Sequence, residues 1–77
     1  MRKSEMVSMS TTMKDVMIYL KGRLGCRSEY VSYAEIARTV GKSRHAVAYA
    51  IERLKRTYEL GVEHGKLYIV DLYQKEA

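Results

Sequence analysis

Residues 32–51 read SYAEIARTVGKSRHAVAYAI, and the organisation of the whole chain follows from how this stretch divides. Ser32 stands three before Glu35, the spacing at which a hydroxyl and a carboxylate each answer a free backbone N–H at the start of a helix. Ile36, Ala37 and Val40 then line one side of a short helix. Gly41 stops it, because a reversal needs the left-handed backbone conformation that glycine takes without strain. Lys42 forms the turn, and Ser43 is placed to cap the next helix. In that third helix, expected over about 43–58, Val47, Ala50, Ile51, Leu54 and Tyr58 recur at i, i+3, i+4, i+7 and i+11, a single apolar stripe. The opposite face carries Arg44, His45, Ala48, Tyr49, Glu52, Arg53 and Arg56.

Upstream, Met13, Val16, Met17, Leu20 and Leu24 form a second apolar stripe at helical spacing. It predicts a first helix over about 11–24, with Ser10, Thr11 and Thr12 offering capping oxygens and Asp15 standing three after Thr12. Gly22 and Gly25 are stop signals, and Cys26–Glu29 reads as a loop leading into a short extended stretch at Tyr30-Val31. Downstream, Leu60–Glu63 and Lys66–Leu72 flank His64-Gly65, a two-residue connection of the kind that closes a tight hairpin. Tyr58 and Tyr68 are expected in the core. The order α-β-α-α-β-β defines an α+β class that is mostly helical: one domain over 11–73, an arm at 1–10 and a tail at 74–77.

A chain of 77 residues buries only about 60% of its unfolded surface, enough for a single core. The length is expected to leave no room for a second domain or an effector pocket, so no small-molecule effector and no cofactor is expected. Fourteen Lys and Arg against nine Asp and Glu leave a formal charge of +5. That excess is concentrated: within 38–56, Arg38, Lys42, Arg44, Arg53, Lys55 and Arg56 face Glu52 alone, whereas 57–77 is net acidic. A focused basic segment attracts phosphates better than the same charge spread evenly. Cys26, the single cysteine, cannot make an internal disulfide and suits a reducing compartment. The longest apolar run, Val16–Leu20, is far short of the roughly 20 residues a bilayer requires, so a cytoplasmic protein without membrane association is expected. No metal-ligand spacing, glycine-rich phosphate loop or pairing of nucleophile and base stands out, and an enzyme is not expected.

The constellation Ala37-x3-Gly41-x5-Val47-x3-Ile51, with a capping box before it and a hairpin after it, resembles the winged helix-turn-helix superfamily of DNA-binding domains over roughly residues 11–73. The resemblance implies that the third helix enters the major groove while the hairpin, the wing, lies against the neighbouring backbone. Ser43, Arg44 and His45 would then reach base edges first, with Arg44 bidentate to a guanine. Ala48 and Tyr49 would touch a thymine methyl or a phosphate, and Arg53 and Arg56 would clamp the backbone. Lys42 stands in the turn where the family usually has an apolar residue. Ser32 and Tyr33 would meet a phosphate through free N–H groups, and Lys66 is the only cation beside the short wing tip.

The function implied is a sequence-specific double-stranded DNA-binding protein and small transcriptional regulator, nucleoid-associated when bound. Two other functions fit the same pattern: a winged-helix module that meets an acidic protein partner, and a replication or partition accessory protein. A homodimer is expected. Met6, Met9, Met13 and Met17 continue a helical spacing toward the N-terminus, and methionine suits an adaptable interface.

Overall fold

The computed structural model describes residues 11–73. The arm expected at 1–10, with Ser10, Met6 and Met9, and the tail expected at 74–77 lie outside the described residues. Helix α1 (Thr11–Leu24) buries Met13, Val16, Met17, Leu20 and Leu24, the five positions of its apolar stripe. Thr12 is helical and does not act as a cap. Gly22 continues the helix, and the chain turns at Gly25, whose φ of 59° is the left-handed conformation. Met13 and Met17 point into the core, so this half of the methionine series supplies packing and not an outer interface.

Helix α2 (Tyr33–Val40) starts at Ser32, whose hydroxyl accepts from the Glu35 N–H at 3.3 Å, and ends at Gly41 with φ 73°. Only half of the expected capping box forms. The Glu35 carboxylate turns instead to Arg23 at 3.0 Å, because a charge-assisted bond to guanidinium outweighs one to a neutral backbone N–H. Gly41 and Lys42 both donate their N–H groups to the Ala37 carbonyl, at 2.9 and 3.0 Å, which closes the turn. Helix α3 (Arg44–Arg56) is capped by Ser43, which accepts from the Ala46 N–H at 3.0 Å. Val47, Ala50, Ile51 and Leu54 are buried between α1 and α2. Ala37 is buried too, and its small side chain permits the close passage of α2 and α3.

Strands β1 (Leu60–Glu63) and β2 (Lys66–Ile69) pair antiparallel, with Leu60 opposite Ile69 and Glu63 opposite Lys66. His64 and Gly65 both have positive φ, 57° and 81°, as the tight turn that matches strand twist requires. Leu60, Leu67 and Ile69 close the core from this side. The described order is therefore α-α-α-β-β. The expected strand at Tyr30-Val31 is reduced to one bridge, a residue earlier, where Glu29 exchanges N–H···O bonds of 3.1 and 2.9 Å with Leu67. Pairing goes no further because Val31 packs against the core and Ser32 already begins α2.

Two tyrosines depart from the expected core. Helix α3 ends at Arg56, and Tyr58 takes φ 64° in the reversal that follows, so the stripe does not carry past the helix end and Tyr58 is 81% exposed. Tyr68 lies on the face of the hairpin away from Leu67 and Ile69. There it covers Gly61, and its ring meets that of Tyr73 at 4.2 Å between centroids. The Tyr73 hydroxyl donates to Glu63 at 2.9 Å, fastening this outer layer. The second strand stops at Ile69, short of the expected Leu72, because the Tyr73 N–H turns back to the Ile69 carbonyl at 2.7 Å. A Cβ on Gly61 would run into the Tyr68 ring. Gly61→Ala is expected to cost about 1–3 kcal/mol through this overpacking, read as a lower melting temperature with a changed near-ultraviolet tyrosine signal. An unchanged melt would mean that the ring moves aside freely.

Candidate nucleic-acid interface

Three facts set the outer face of α3. Its apolar stripe is pinned in the core, its N-terminus is fixed by Ser43, and the helix advances about 100° per residue. Arg44, His45, Ala48, Tyr49, Glu52, Arg53 and Arg56 consequently fall within about half of the circumference. They form a continuous surface. Tyr33, Arg44, His45 and Ala48 line one shallow depression, and His45, Ala48, Tyr49, Glu52, Arg53 and Arg56 line the next, so His45 and Ala48 belong to both. The first of these draws Tyr33, at the start of α2, onto the α3 surface. Ser32, Lys42, Ser43 and Lys66 line neither depression.

The electrostatics of this surface separate two sets of cations. Arg23 is held by Glu29 at 3.4 Å, Glu35 at 3.0 Å and the Tyr19 hydroxyl at 3.0 Å, and Arg27 by Glu29 at 3.2 Å. The Tyr19 hydroxyl, and then Glu35, raise the Arg23 pKa above its ordinary value, and these contacts tie α1 to the loop and to α2. Lys55 pairs with Glu52 at 3.0 Å, which satisfies the single carboxylate on the α3 face. Among the described residues, Lys42, Arg44, Arg53, Arg56 and Lys66 have no carboxylate within ion-pair distance. These five are the cations singled out from the sequence; Lys14, Lys21 and Arg38 are likewise without a carboxylate partner among the described residues.

Arg44 is the most informative of them. It occupies the first turn of α3, a turn without an acidic residue, where the helix dipole disfavours positive charge. Arg53, Lys55 and Arg56 sit in the last turn, where the dipole favours them and local stability alone would explain them. A locally unfavourable charge on an exposed, capped helix end points to an anionic or electron-rich target. The N–H groups of Tyr33 and Ala34 at the start of α2 lie outside the helical ladder, whereas that of Glu35 is taken by Ser32.

Tyr49 is 61% exposed and carries Arg53. The guanidinium donates to the Tyr49 hydroxyl at 3.1 Å and lies 5.9 Å from the ring centroid. Tyr30, absent from the sequence-derived set, plays the matching part for Lys66, whose ammonium sits 5.4 Å from the ring centroid. No spacing rule relates residues 36 apart. The sequence offered only an aromatic in the short extended stretch expected at Tyr30-Val31.

No protein-family model, curated protein or solved structure matches the chain. Among the described residues, no helix is long and apolar enough to cross a membrane.

Proposed function

We propose that the protein binds double-stranded DNA as a winged helix-turn-helix domain, lays α3 in the major groove with the β1–β2 hairpin as wing, and acts in the cytoplasm as a small transcriptional regulator. The observation that carries this reading is the outer face of α3: an exposed surface held rigidly by a buried stripe, with cations that no carboxylate answers among the described residues. A helix about 10–12 Å across fits a major groove about 12 Å wide. In that pose Ser43, Arg44 and His45 meet base edges and Ala48 and Tyr49 lie a turn further along. Lys42, Arg53, Arg56 and Lys66 neutralise phosphates, and the first turn of α2 at Ser32 and Tyr33 faces the backbone. Pairing of two copies would set two α3 helices about 34 Å apart on successive half-sites. Such a dimer needs an interface other than Met13 and Met17, which are buried.

The test is fluorescence anisotropy of a labelled generic duplex across a salt series. Four to six phosphate contacts give an expected log–log slope of roughly −4 to −5, because each neutralised phosphate contributes about −0.9. An absence of binding at low salt would refute the DNA reading and favour an acidic protein partner for the same face.

A further inference from the structure

Five of the described cations have side-chain partners, and these partners are of two chemically different kinds. Arg23, Arg27 and Lys55 are held by carboxylates, which cancel their charge. Arg53 and Lys66 are held by tyrosine rings, Tyr49 and Tyr30, which are neutral. A ring beneath a cation limits the rotamers of a long side chain without neutralising it, and leaves the N–H donors on the far side free. A carboxylate in the same place would have to be displaced before a phosphate could bind.

The hairpin tip carries this furthest. Glu63 is directly across the ladder from Lys66, the natural partner for a cross-strand ion pair. That pair does not form: the Tyr73 hydroxyl donates to Glu63 at 2.9 Å, while the Lys66 ammonium lies over Tyr30. Tyr30 comes from the segment between α1 and α2, which the Glu29–Leu67 bridge clips beside β2. Its ring also flanks Gly65, where a Cβ would come within 3.2 Å of it. Tyr30 is nonetheless 66% exposed, so its site is not explained by burial.

We propose that Tyr30 and Tyr49 are positioning residues for an anion-binding pair, holding Lys66 and Arg53 in place with their charge uncancelled for two phosphates of the duplex backbone. The assignment rests on the DNA reading above and adds to it the loop between α1 and α2 as part of the interface. Tyr30 acts through its ring, and Tyr49 through ring and hydroxyl together.

The experiment is a set of salt-series titrations on the full chain with one duplex, for Lys66→Ala, Tyr30→Ala, Tyr30→Phe and the double variant Lys66→Ala/Tyr30→Ala. Lys66→Ala is expected to reduce the steepness of the slope by about 1. Tyr30→Ala is expected to weaken binding about two- to fivefold, the range of an exposed cation–π contact. Tyr30→Phe keeps the ring and should bind like the unaltered chain, and the double variant should be no weaker than Lys66→Ala. Tyr30→Ala that costs as much in the Lys66→Ala background as alone would overturn the assignment, because a merely structural role gives that result. At the second pair, Tyr49→Phe should lose part of what Tyr49→Ala loses, and neither should matter once Arg53 is alanine. A loss that persists there would make Tyr49 a direct contact and not a positioning residue. An unaltered chain that binds no duplex overturns the DNA reading itself; normal binding by Tyr30→Ala and Tyr49→Ala overturns this inference alone.

Discussion

Ile51→Ala should lower the melting temperature by roughly 10–30 °C and bring the domain close to unfolding at physiological temperature. Ile51 is completely buried in α3, between α1 and α2. Truncating such a side chain removes its transfer free energy and leaves a cavity, together about 2–5 kcal/mol. A chain of this size has only about 4–12 kcal/mol to lose, and each kcal/mol moves the midpoint by about 4–8 °C in so small a domain. Circular dichroism melts read the effect directly. Tyr58→Ala is the control: the sequence stripe treats the two positions alike, yet Tyr58 is exposed and its truncation should change stability by no more than about 0.5 kcal/mol. Equal losses at both positions would show that α3 runs on past Arg56 with Tyr58 packed inward. A small loss at Ile51 would mean that the outer face of α3 is not rigidly mounted, and the binding surface would lose its foundation.

Arg44→Ala should separate binding from folding. Ser43 still caps the helix, alanine is the best helix former, and removal of a cation from the positive end of the helix dipole relieves a small local cost. The melting temperature is therefore expected to stay level or rise slightly. If Arg44 meets a guanine through its two-pronged guanidinium, its loss costs about 1–3 kcal/mol, roughly 5- to 150-fold in affinity for the preferred site. Preference at one base pair should relax while binding to unrelated duplex changes far less. Competition among single-base variants of a selected site measures both. Unchanged affinity together with unchanged preference would show that another part of α3 faces the bases. A uniform loss across all sequences would make Arg44 a phosphate contact.

Much of the architecture was legible because its signals are local. The Ser32 and Ser43 caps, Gly41 and the His64-Gly65 turn each state their role within four residues, and each lies where that role requires. The stripes of α1 and α3 were readable because a periodic apolar face has to be buried somewhere. What misled was extrapolation of a period beyond its element. Tyr58 completes the α3 stripe on paper, but the helix ends two residues earlier. Glu35 completes a capping box on paper, but Arg23, twelve residues away, binds it more strongly. The set of α3 surface residues was legible as a set, since a helix with one buried face must expose the other.

The sequence by itself determined which helix faces water with a basic surface, where the chain turns, and that a hairpin follows. All of these depend on contacts within a turn or two of helix, or on two strands joined by two residues. Only the tertiary structure decided which cations are committed to the fold and which stay available. Arg23 and Arg53 are the same side chain, each four residues after a tyrosine. The difference is that α1 carries Arg23 to Glu29 and Glu35, while α3 leaves Arg53 with Tyr49 alone among the described residues. Likewise Tyr30 and Lys66 become neighbours only because Glu29 bridges to Leu67. Charge is a property of the residue, but its availability depends on what lies within a few ångströms, and that is set by chain segments far apart in sequence.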